Sequence, residues 1–483
     1  MNINIDDTIV AISTPLNGES GIGIVRMSGK SAINIADKIF ISKDKKKPSE
    51  FKTFTVHYGW ISVSPGNVLD EVLLTVMRAP KTYTREDIVE ISGHGGPVVL
   101  KKILTLCMDT GARIAQPGEF TKRAFLNGRI DLAQAQAVCD LICAKTDQQT
   151  KIFINQVKGA LSEKIKTLRS KLIGLIAQIE VSIDHPEEDM NFLPKQDIIR
   201  NIGSLSNEVI LLIEQAKKGK IYEKGLKAAI IGKPNVGKSS LLNILLAEDR
   251  AIVTHIPGTT RDIISETFNL KGIPVTLMDT AGIRKHNIKL KTGSYGKIEQ
   301  LGIERAKKAL NEAEIILFMC DVSRRPANED KYISELIDKD GDNKKTILIL
   351  NKKDLGDKYS SGYKKLFAKK VPKAPSVKIS ALRKENIDKL ESVLYDTIME
   401  GDKNLHSPDT AEIPLITNIR YEQSLIKCKE DLNKAIQEVG AGKSEEFIVI
   451  HLRQALDELG KITGETTTEE IIDSIFSQFC IGK

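Results

Sequence analysis

Several short runs of the sequence carry the residue types that handle a nucleoside triphosphate. Gly232-Lys233-Pro234-Asn235-Val236-Gly237-Lys238-Ser239, followed by Ser240, has the phosphate-loop spacing GxxxxGK[ST]. The glycines let successive N–H groups turn toward a β-phosphate at the start of a helix. Lys238 adds charge on the β- and γ-phosphates, and the Ser239 hydroxyl is placed to ligate Mg2+. Asp279-Thr280-Ala281-Gly282 follows the apolar stretch Pro274 to Met278, so Asp279 can hold the metal through water while the Gly282 N–H meets the γ-phosphate. Asn351-Lys352-Lys353-Asp354 follows Thr346 to Leu350, and the Asp354 carboxylate can accept both the ring N–H and the exocyclic amine of guanine, a pattern adenine lacks. Ser380-Ala381-Leu382, after Val377 to Ile379, offers backbone to the guanine carbonyl. In this order, each after a strand-like run, the motifs imply that the middle of the chain binds and hydrolyses GTP.

The switch chemistry is less complete. Many regulatory GTPases place a glutamine directly after the DxxG glycine to orient the attacking water. Here that position is Ile283, which can neither donate nor accept, so another residue or a partner must position the water. Between the phosphate loop and Asp279 lies Thr254-His255-Ile256-Pro257-Gly258-Thr259-Thr260, where switch I belongs; Thr260 is the choice for the metal. Arg261 reads either as an arginine finger in cis or as one half of a salt bridge with Asp262. Asn235 has a side-chain oxygen near the phosphates, which either helps hold a monovalent cation or satisfies loop backbone groups. The residues alone leave both questions open.

These loops must be carried by a framework, and 483 residues at about 150 per domain predict three domains. The net charge of +7 and pI near 8.8 permit contact with RNA without requiring it, because lysine-rich faces such as Lys364 to Lys373 are commonly only solvated. Six cysteines without a CxxC pair point to reduced thiols in a cytoplasmic protein. The acidic start MNINIDDTIV and the lack of any apolar run near ~18 residues predict neither signal peptide nor membrane span. Strand-like runs (Thr8 to Ile12, Ile22 to Met27, Phe51 to Ile61, Val72 to Met77, Ile88 to Ile91) alternate with helical stretches at Ser31 to Phe40 and Pro97 to Thr110, which predicts an α+β domain. Beyond Asp131 the apolar residues Ile154, Val157, Leu161, Ile165, Leu168, Leu172, Leu175, Ile179 and Ile183 step by three or four, predicting one long amphipathic helix. Gln196 to Lys217 and Tyr421 to Gln478 are helical as well. The fold class expected is multidomain α/β: an N-terminal α+β domain, an all-α helical domain, and a P-loop GTPase with a mostly parallel sheet inserted into the helical domain. The boundaries drawn are 1–125, 126–218, 219–402 and 403–483, with linkers near Lys218 to Gly225 and Gly401 to Pro414.

Assembled in this way, the chain resembles from end to end the tRNA modification GTPase family MnmE, also called TrmE. The resemblance rests on Asp7-Thr8-Ile9-Val10-Ala11, on Pro117-Gly118-Glu119-Phe120-Thr121 with Arg123-Ala124-Phe125-Leu126-Asn127-Gly128-Arg129, on the GTPase motifs, and on Phe479-Cys480-Ile481-Gly482-Lys483, the most specific mark. It implies a homodimer joined through N-terminal domains that bind a one-carbon tetrahydrofolate (5,10-methylene- or 5-formyl-tetrahydrofolate), with folate contacts on Arg26, Glu90, Arg129 and Lys483. It implies a heterotetramer with a flavin-dependent MnmG/GidA-like protein that adds an aminomethyl or carboxymethylaminomethyl group to carbon 5 of the wobble uridine of certain tRNAs. It also implies potassium-stimulated hydrolysis, with K+ on Asn235, Thr254, Ile256 and Thr259, Mg2+ on Ser239 and Thr260, and Glu299 positioning the water.

The chain departs from the family pattern in places. Lys285 to Lys297 is longer than the usual switch II, Arg85 stands where a glycine is common, and Leu382 where Arg or Lys is frequent. Cys480 reads either as a nucleophile activated by Lys483 or as a small residue packing the tail. His94, in Ser92-Gly93-His94-Gly95-Gly96, reads as a ligand or as a turn residue. The alternative function is an RNA-binding ribosome-assembly GTPase, whose switches are similar; it leaves the N-terminal domain unexplained.

Overall fold

The computed structural model describes residues 6–16, 20–184, 194–248, 265–279, 310–340, 344–372, 374–399 and 416–482. They fall into two compact units. One takes the residues up to Ile142, Ile154–Ile213 and those from Arg420 on; the other takes Cys143–Phe153 and Glu214–Ile419.

The first unit opens with a seven-stranded sheet ordered β3-β4-β5-β6-β2-β1-β7. Its strands are β1 (Ile9–Ile12), β2 (Gly23–Ser28), β3 (Phe40–Ser42), β4 (Thr55–Ser64), β5 (Asn67–Met77), β6 (Ile88–Gly93) and β7 (Arg113–Ile114). Alternation decides its faces: Val25, Met27, Val72, Leu74, Val76, Val89 and Ile91 point into a core closed by helices α1 (Ala32–Ile39) and α2 (Pro97–Asp109). The residues between them, Arg26 and Glu90 among them, occupy the other face. Helices α3 (Glu119–Leu126) and α4 (Leu132–Cys143) lead on to a helical part. There α6 (Ala160–Asp184) packs against the helix Glu445–Thr463, with Arg169 donating to the Leu456 carbonyl at 2.9 Å.

The second unit holds a six-stranded sheet ordered β13-β12-β11-β8-β10-β9, built from β8 (Leu226–Ile231), β9 (Ser265–Leu270), β10 (Ile273–Asp279), β11 (Ile315–Asp321), β12 (Lys345–Asn351) and β13 (Ser376–Lys378). Only β9 runs antiparallel to its neighbour. Every residue of β11 is buried, as expected of a parallel strand covered on both faces. Each GTPase motif begins at the carboxyl end of a parallel strand, where α/β sheets open their ligand crevice.

Two local expectations give way. The long helix expected from Ile154 to Ile183 is two, α5 (Asp147–Val157) and α6, because Gly159 takes a left-handed φ of +92° and Gln134 Nε2 caps the freed Val157 carbonyl at 2.9 Å. The stretch read as a linker after Lys217 remains helical, as α7 runs from Lys195 to Lys224. The apolar stripe Ile213, Ala216 and Tyr222 continues through it, with Gly219 packed tightly against the Ile416 carbonyl rather than breaking the helix. The stretch Gly401 to Pro414 lies outside the described residues.

Candidate GTP site and N-terminal charged cluster

The phosphate loop leaves β8 at Gly232 and enters helix α8 (Lys238–Glu248), whose N-terminal N–H groups face the loop. Asn235 takes a left-handed φ of +63°, a conformation asparagine tolerates better than most residues, and its side chain is exposed. Lys238 Nζ donates to the Gly232 and Lys233 carbonyls, each at 2.8 Å. Ser239 and Ser240 are exposed in the first turn of α8.

The run Asn351 to Asp354 and the phosphate loop are joined by one side chain. Asn351, 2% exposed, donates from Nδ2 to the Val236 carbonyl at 2.7 Å and accepts the Ala381 N–H on Oδ1 at 2.9 Å. Gly237 must be glycine for this packing: its φ is +106°, and a Cβ there would lie 2.3 Å from Asn351 Nδ2. Asp354 Oδ1 accepts the Ser380 hydroxyl at 2.6 Å, which orients the carboxylate. Lys352, at a φ of +65°, reaches Asp321 Oδ2 at 2.8 Å, and Lys353 N–H donates to the Ile379 carbonyl at 3.2 Å. Burial alone would raise the Asp321 carboxyl, but bonds from Lys352 and Ser323 hold it below its ordinary value. Leu382 is 83% exposed. Asp279 ends β10, while Thr254, His255, Ile256, Pro257, Gly258, Thr259, Thr260, Thr280, Ala281, Gly282 and Glu299 lie outside the described residues.

The first unit brings together a second set. Arg26 and Glu90 are register partners on β2 and β6, and Arg26 Nε and Nη2 both lie 2.7 Å from Glu90 Oε1. The Arg26 guanidinium is 5.8 Å from the Phe120 ring centroid, and that of Arg129 is 4.7 Å from Tyr83, whose hydroxyl meets Thr121 Oγ1 at 3.0 Å. The chain's tail closes on the same sheet. Gly118 N–H donates to the Cys480 carbonyl and Ser13 Oγ to the Gly482 carbonyl, each at 3.4 Å, and Ser13 N–H bonds Ile24 two residues from Arg26. Lys483 itself lies outside the described residues. Phe479, buried against Phe476 with ring centroids 5.4 Å apart, does the packing read as one possibility for Cys480, which is exposed.

On the same side of the sheet runs a largely buried ionic network, reached from β2 by Ser28, whose hydroxyl donates to Glu86 Oε2 at 2.7 Å. Arg123, fully buried, donates to the Asp7 carbonyl at 2.8 Å and to both Glu86 oxygens at 3.1 Å, and lies 3.4 Å from Glu119 Oε1. Arg113 grips Glu119 with two bonds of 2.7 and 3.2 Å. Burial alone would raise the Glu119 carboxyl; the bonds from Arg113 and the Gln116 N–H, with the charges of both arginines, outweigh it and hold the group below its ordinary value. His94 lies in the loop just after β6, its Nδ1 2.6 Å from Asp70, and that bond and charge raise the imidazole's pKa. No described group of three His, Cys, Asp or Glu residues has the geometry of a metal site.

Comparison with known proteins completes the assignment. Residues 8–129 match the family described as the GTP-binding protein TrmE N-terminus, and residues 132–480 match the MnmE helical domain. The chain belongs to the MnmE family of tRNA modification GTPases. The tRNA modification GTPase MnmE of Thermoanaerobacter pseudethanolicus is 46% identical over 479 residues, covering 99% of each chain. That of Carboxydothermus hydrogenoformans is 46% identical over 482 residues, covering 99% of this chain and 100% of its own, and that of Lactobacillus gasseri is 45% identical over 479. As an MnmE-family chain the molecule is a GTP-binding GTP hydrolase of tRNA modification, which removes the ribosome-assembly alternative. Membership also gives Arg85 a setting: its φ is +59°, the conformation in which glycine is common, and its Nη1 anchors on the Asn127 carbonyl at 2.8 Å. Sequence reasoning missed the joining role of Asn351 and the network around Arg123, because neither follows from spacing. The run of motif residues Glu119 to Arg129 was the available signal for the network.

Proposed function

We propose that this MnmE-family chain couples potassium-stimulated GTP hydrolysis to the addition of an aminomethyl or carboxymethylaminomethyl group at carbon 5 of the wobble uridine of certain tRNAs, with a one-carbon tetrahydrofolate and a flavin-dependent MnmG/GidA-like partner. The observation that carries this reading is the convergence of the Arg26–Glu90 pair, Arg129 on Tyr83 and the tail at Gly482 on one face of the N-terminal sheet. Such a face offers paired charge to a pterin and cations to glutamate carboxylates; Arg26, Glu90, Arg129 and Lys483 are the folate residues. Deleting Cys480 to Lys483 eliminates wobble modification, read by mass spectrometry of tRNA nucleosides, while GTP hydrolysis stays near wild type. Normal wobble nucleosides in cells carrying only the deleted form would end the folate assignment.

In the nucleotide site, Lys238 holds the β- and γ-phosphates, Asp354 reads guanine, and Glu299 orients the attacking water. The exposed Ser239 hydroxyl fits a Mg2+ ligand, joined by Thr260, and the exposed Asn235 oxygen fits a K+ ligand, joined by Thr254, Ile256 and Thr259. K+ supplies there the charge an arginine finger supplies elsewhere. Equal turnover in potassium and sodium at matched ionic strength would refute that part.

The chain works as a homodimer through residues 1–125, with helical segments 126–218 and 403–483 around a GTPase domain 219–402. Support comes from β3, β4 and β5, where Ile41 (48% exposed), Val56 (58%), Tyr58 (37%) and Leu73 (47%) form an apolar stripe on the same face of the sheet as Arg26 and Glu90. It acts in the cytoplasm, a place supported by its kinship with tRNA modification GTPases; no helix among the described residues is long and apolar enough to cross a membrane.

A further inference from the structure

Lys233 follows the first glycine of the phosphate loop, at a position whose residue type the motif leaves open. Its side chain turns away from the loop's mouth into the domain. The Nζ lies 2.6 Å from Asp330 Oδ2, with the two side chains 17% and 1% exposed. Asp330 sits in the first turn of the helix Asn328–Asp340, where the same Oδ2 accepts the Ala327 N–H at 2.8 Å and the Tyr363 hydroxyl at 3.4 Å. The Lys233 carbonyl in turn accepts Lys238 Nζ, so one residue links a buried carboxylate to the lysine of the phosphate site. The loop is thus held on both limbs, the trailing one by Asn351 on the Val236 carbonyl and the leading one by Asp330 on Lys233.

We propose that Asp330 is a positioning residue for GTP hydrolysis: its buried ion pair with Lys233 fixes the leading limb of the phosphate loop and so the place from which Lys238 meets the phosphates. An ammonium at position 233 without a counter-charge would swing toward any phosphate bound in the loop and compete with Lys238. Paired with a buried carboxylate, it becomes an anchor. The other two donors to Asp330 are neutral and leave its charge uncompensated, so Lys233 is what makes burial of the anion tolerable. The inference rests on reading Gly232 to Ser239 as the phosphate loop.

The test uses the full-length protein and steady-state GTP hydrolysis, with melting of each nucleotide-free variant beside it. Asp330→Asn keeps the volume and an acceptor for the Ala327 N–H while removing the charge; Lys233→Met removes the other partner. Each lowers kcat by about tenfold at saturating GTP, the scale of one lost buried polar interaction. The double variant is no slower than the worse single one, because both remove the same contact. Lys233→Arg recovers most of the rate lost in Lys233→Met, and that pair decides the matter should Asp330→Asn fail to fold. Wild-type kcat in Lys233→Met, or losses that multiply in the double variant, would overturn the proposal. Lys238→Ala separates the layers: if it still hydrolyses GTP, the phosphate-loop reading itself fails, whereas an inactive Lys238→Ala beside an unaffected Lys233→Met removes only the role of Asp330.

Discussion

At the nucleotide site the side chain that joins the separate motifs is a neutral amide, Asn351, spending a donor on one loop and an acceptor on another. At the N-terminal sheet the joining is done by charge: Arg123 and Arg113 against Glu86 and Glu119, with Asp7 at the edge. The two regions face different problems. A site that receives a polyanion is disturbed by unpaired carboxylates close to the phosphates: Asp330 is offset there by Lys233, and a neutral amide bridges the loops without adding to the field. The N-terminal sheet keeps its ionic network on the same side as Arg26 and Glu90, tied to β2 through Ser28 and Glu86, and each carboxylate there has an arginine partner, so the network holds that side together with its charges already paired. Neutral joints cost less to break, whereas buried charged joints strongly resist any motion that would separate them.

The comparison can be broken at its charged end with the largest effect. Arg123→Met strands Glu86 without its cation and leaves Glu119 to Arg113 alone, and unpairing a buried ion typically costs about 3–5 kcal/mol. Trp60, the one tryptophan of the sequence, sits on β4 and reports unfolding of that domain by fluorescence in urea. A loss under 1 kcal/mol, about the value of an exposed ion pair, would show that the network is not a structural joint. At the neutral end, Asn351→Ala leaves the Val236 carbonyl and the Ala381 N–H without their partner. At about 1–3 kcal/mol per orphaned group, GTP affinity falls at least about tenfold while the Trp60 transition stays in place. Should both signals move together, the two regions are not independent.

Asp354→Asn is milder. It turns one of two accepted hydrogen bonds into a donor facing a donor, so the dissociation constant for GTP, measured with a fluorescent analogue, rises about tenfold. Unchanged affinity would remove Asp354 from the guanine contact. The pH dependence sharpens the charged side further. Glu119 is depressed in the folded state, so the stability it contributes is present above its ordinary value of 4.5 and is lost as pH falls through the lower folded value. The Trp60 transition therefore weakens on acidification below about 4.5, and Glu119→Gln makes that acid limb shallower. The smallest effect is local: Asp70→Asn lowers the pKa of His94, followed by NMR of its ring protons, because the bond and charge that raise it come first from Asp70.

Legibility in the sequence follows how local each device is. The phosphate loop lies within eight consecutive residues and its strand within the preceding six, so spacing and an apolar run were sufficient to place it. Asp354 was read correctly as following β12, but the partner that orients it, Ser380, belongs to another loop. Arg26 and Glu90 become neighbours only through antiparallel register across 64 positions, which alternation does not reveal; the family resemblance named them instead. The linker drawn near Lys218 to Gly225 fails for a related reason, at Gly219. A glycine marks either a break or a close approach, and the carbonyl that decides between them, that of Ile416, is far along the chain.

The bond between Ser13 and the Gly482 carbonyl spans 469 positions, and the Arg169–Leu456 bond spans 287. Closing loops of that size carries an entropic cost that local contacts do not. The segment from Glu214 to Ile419 is continuous and can organise through shorter-range contacts, and once folded it shortens the effective loop between the helical stretches on either side. Within the first unit, joining the C-terminal helices and tail to the N-terminal sheet and α6 therefore carries the largest closure entropy, while the sheet itself closes within residues 9–114.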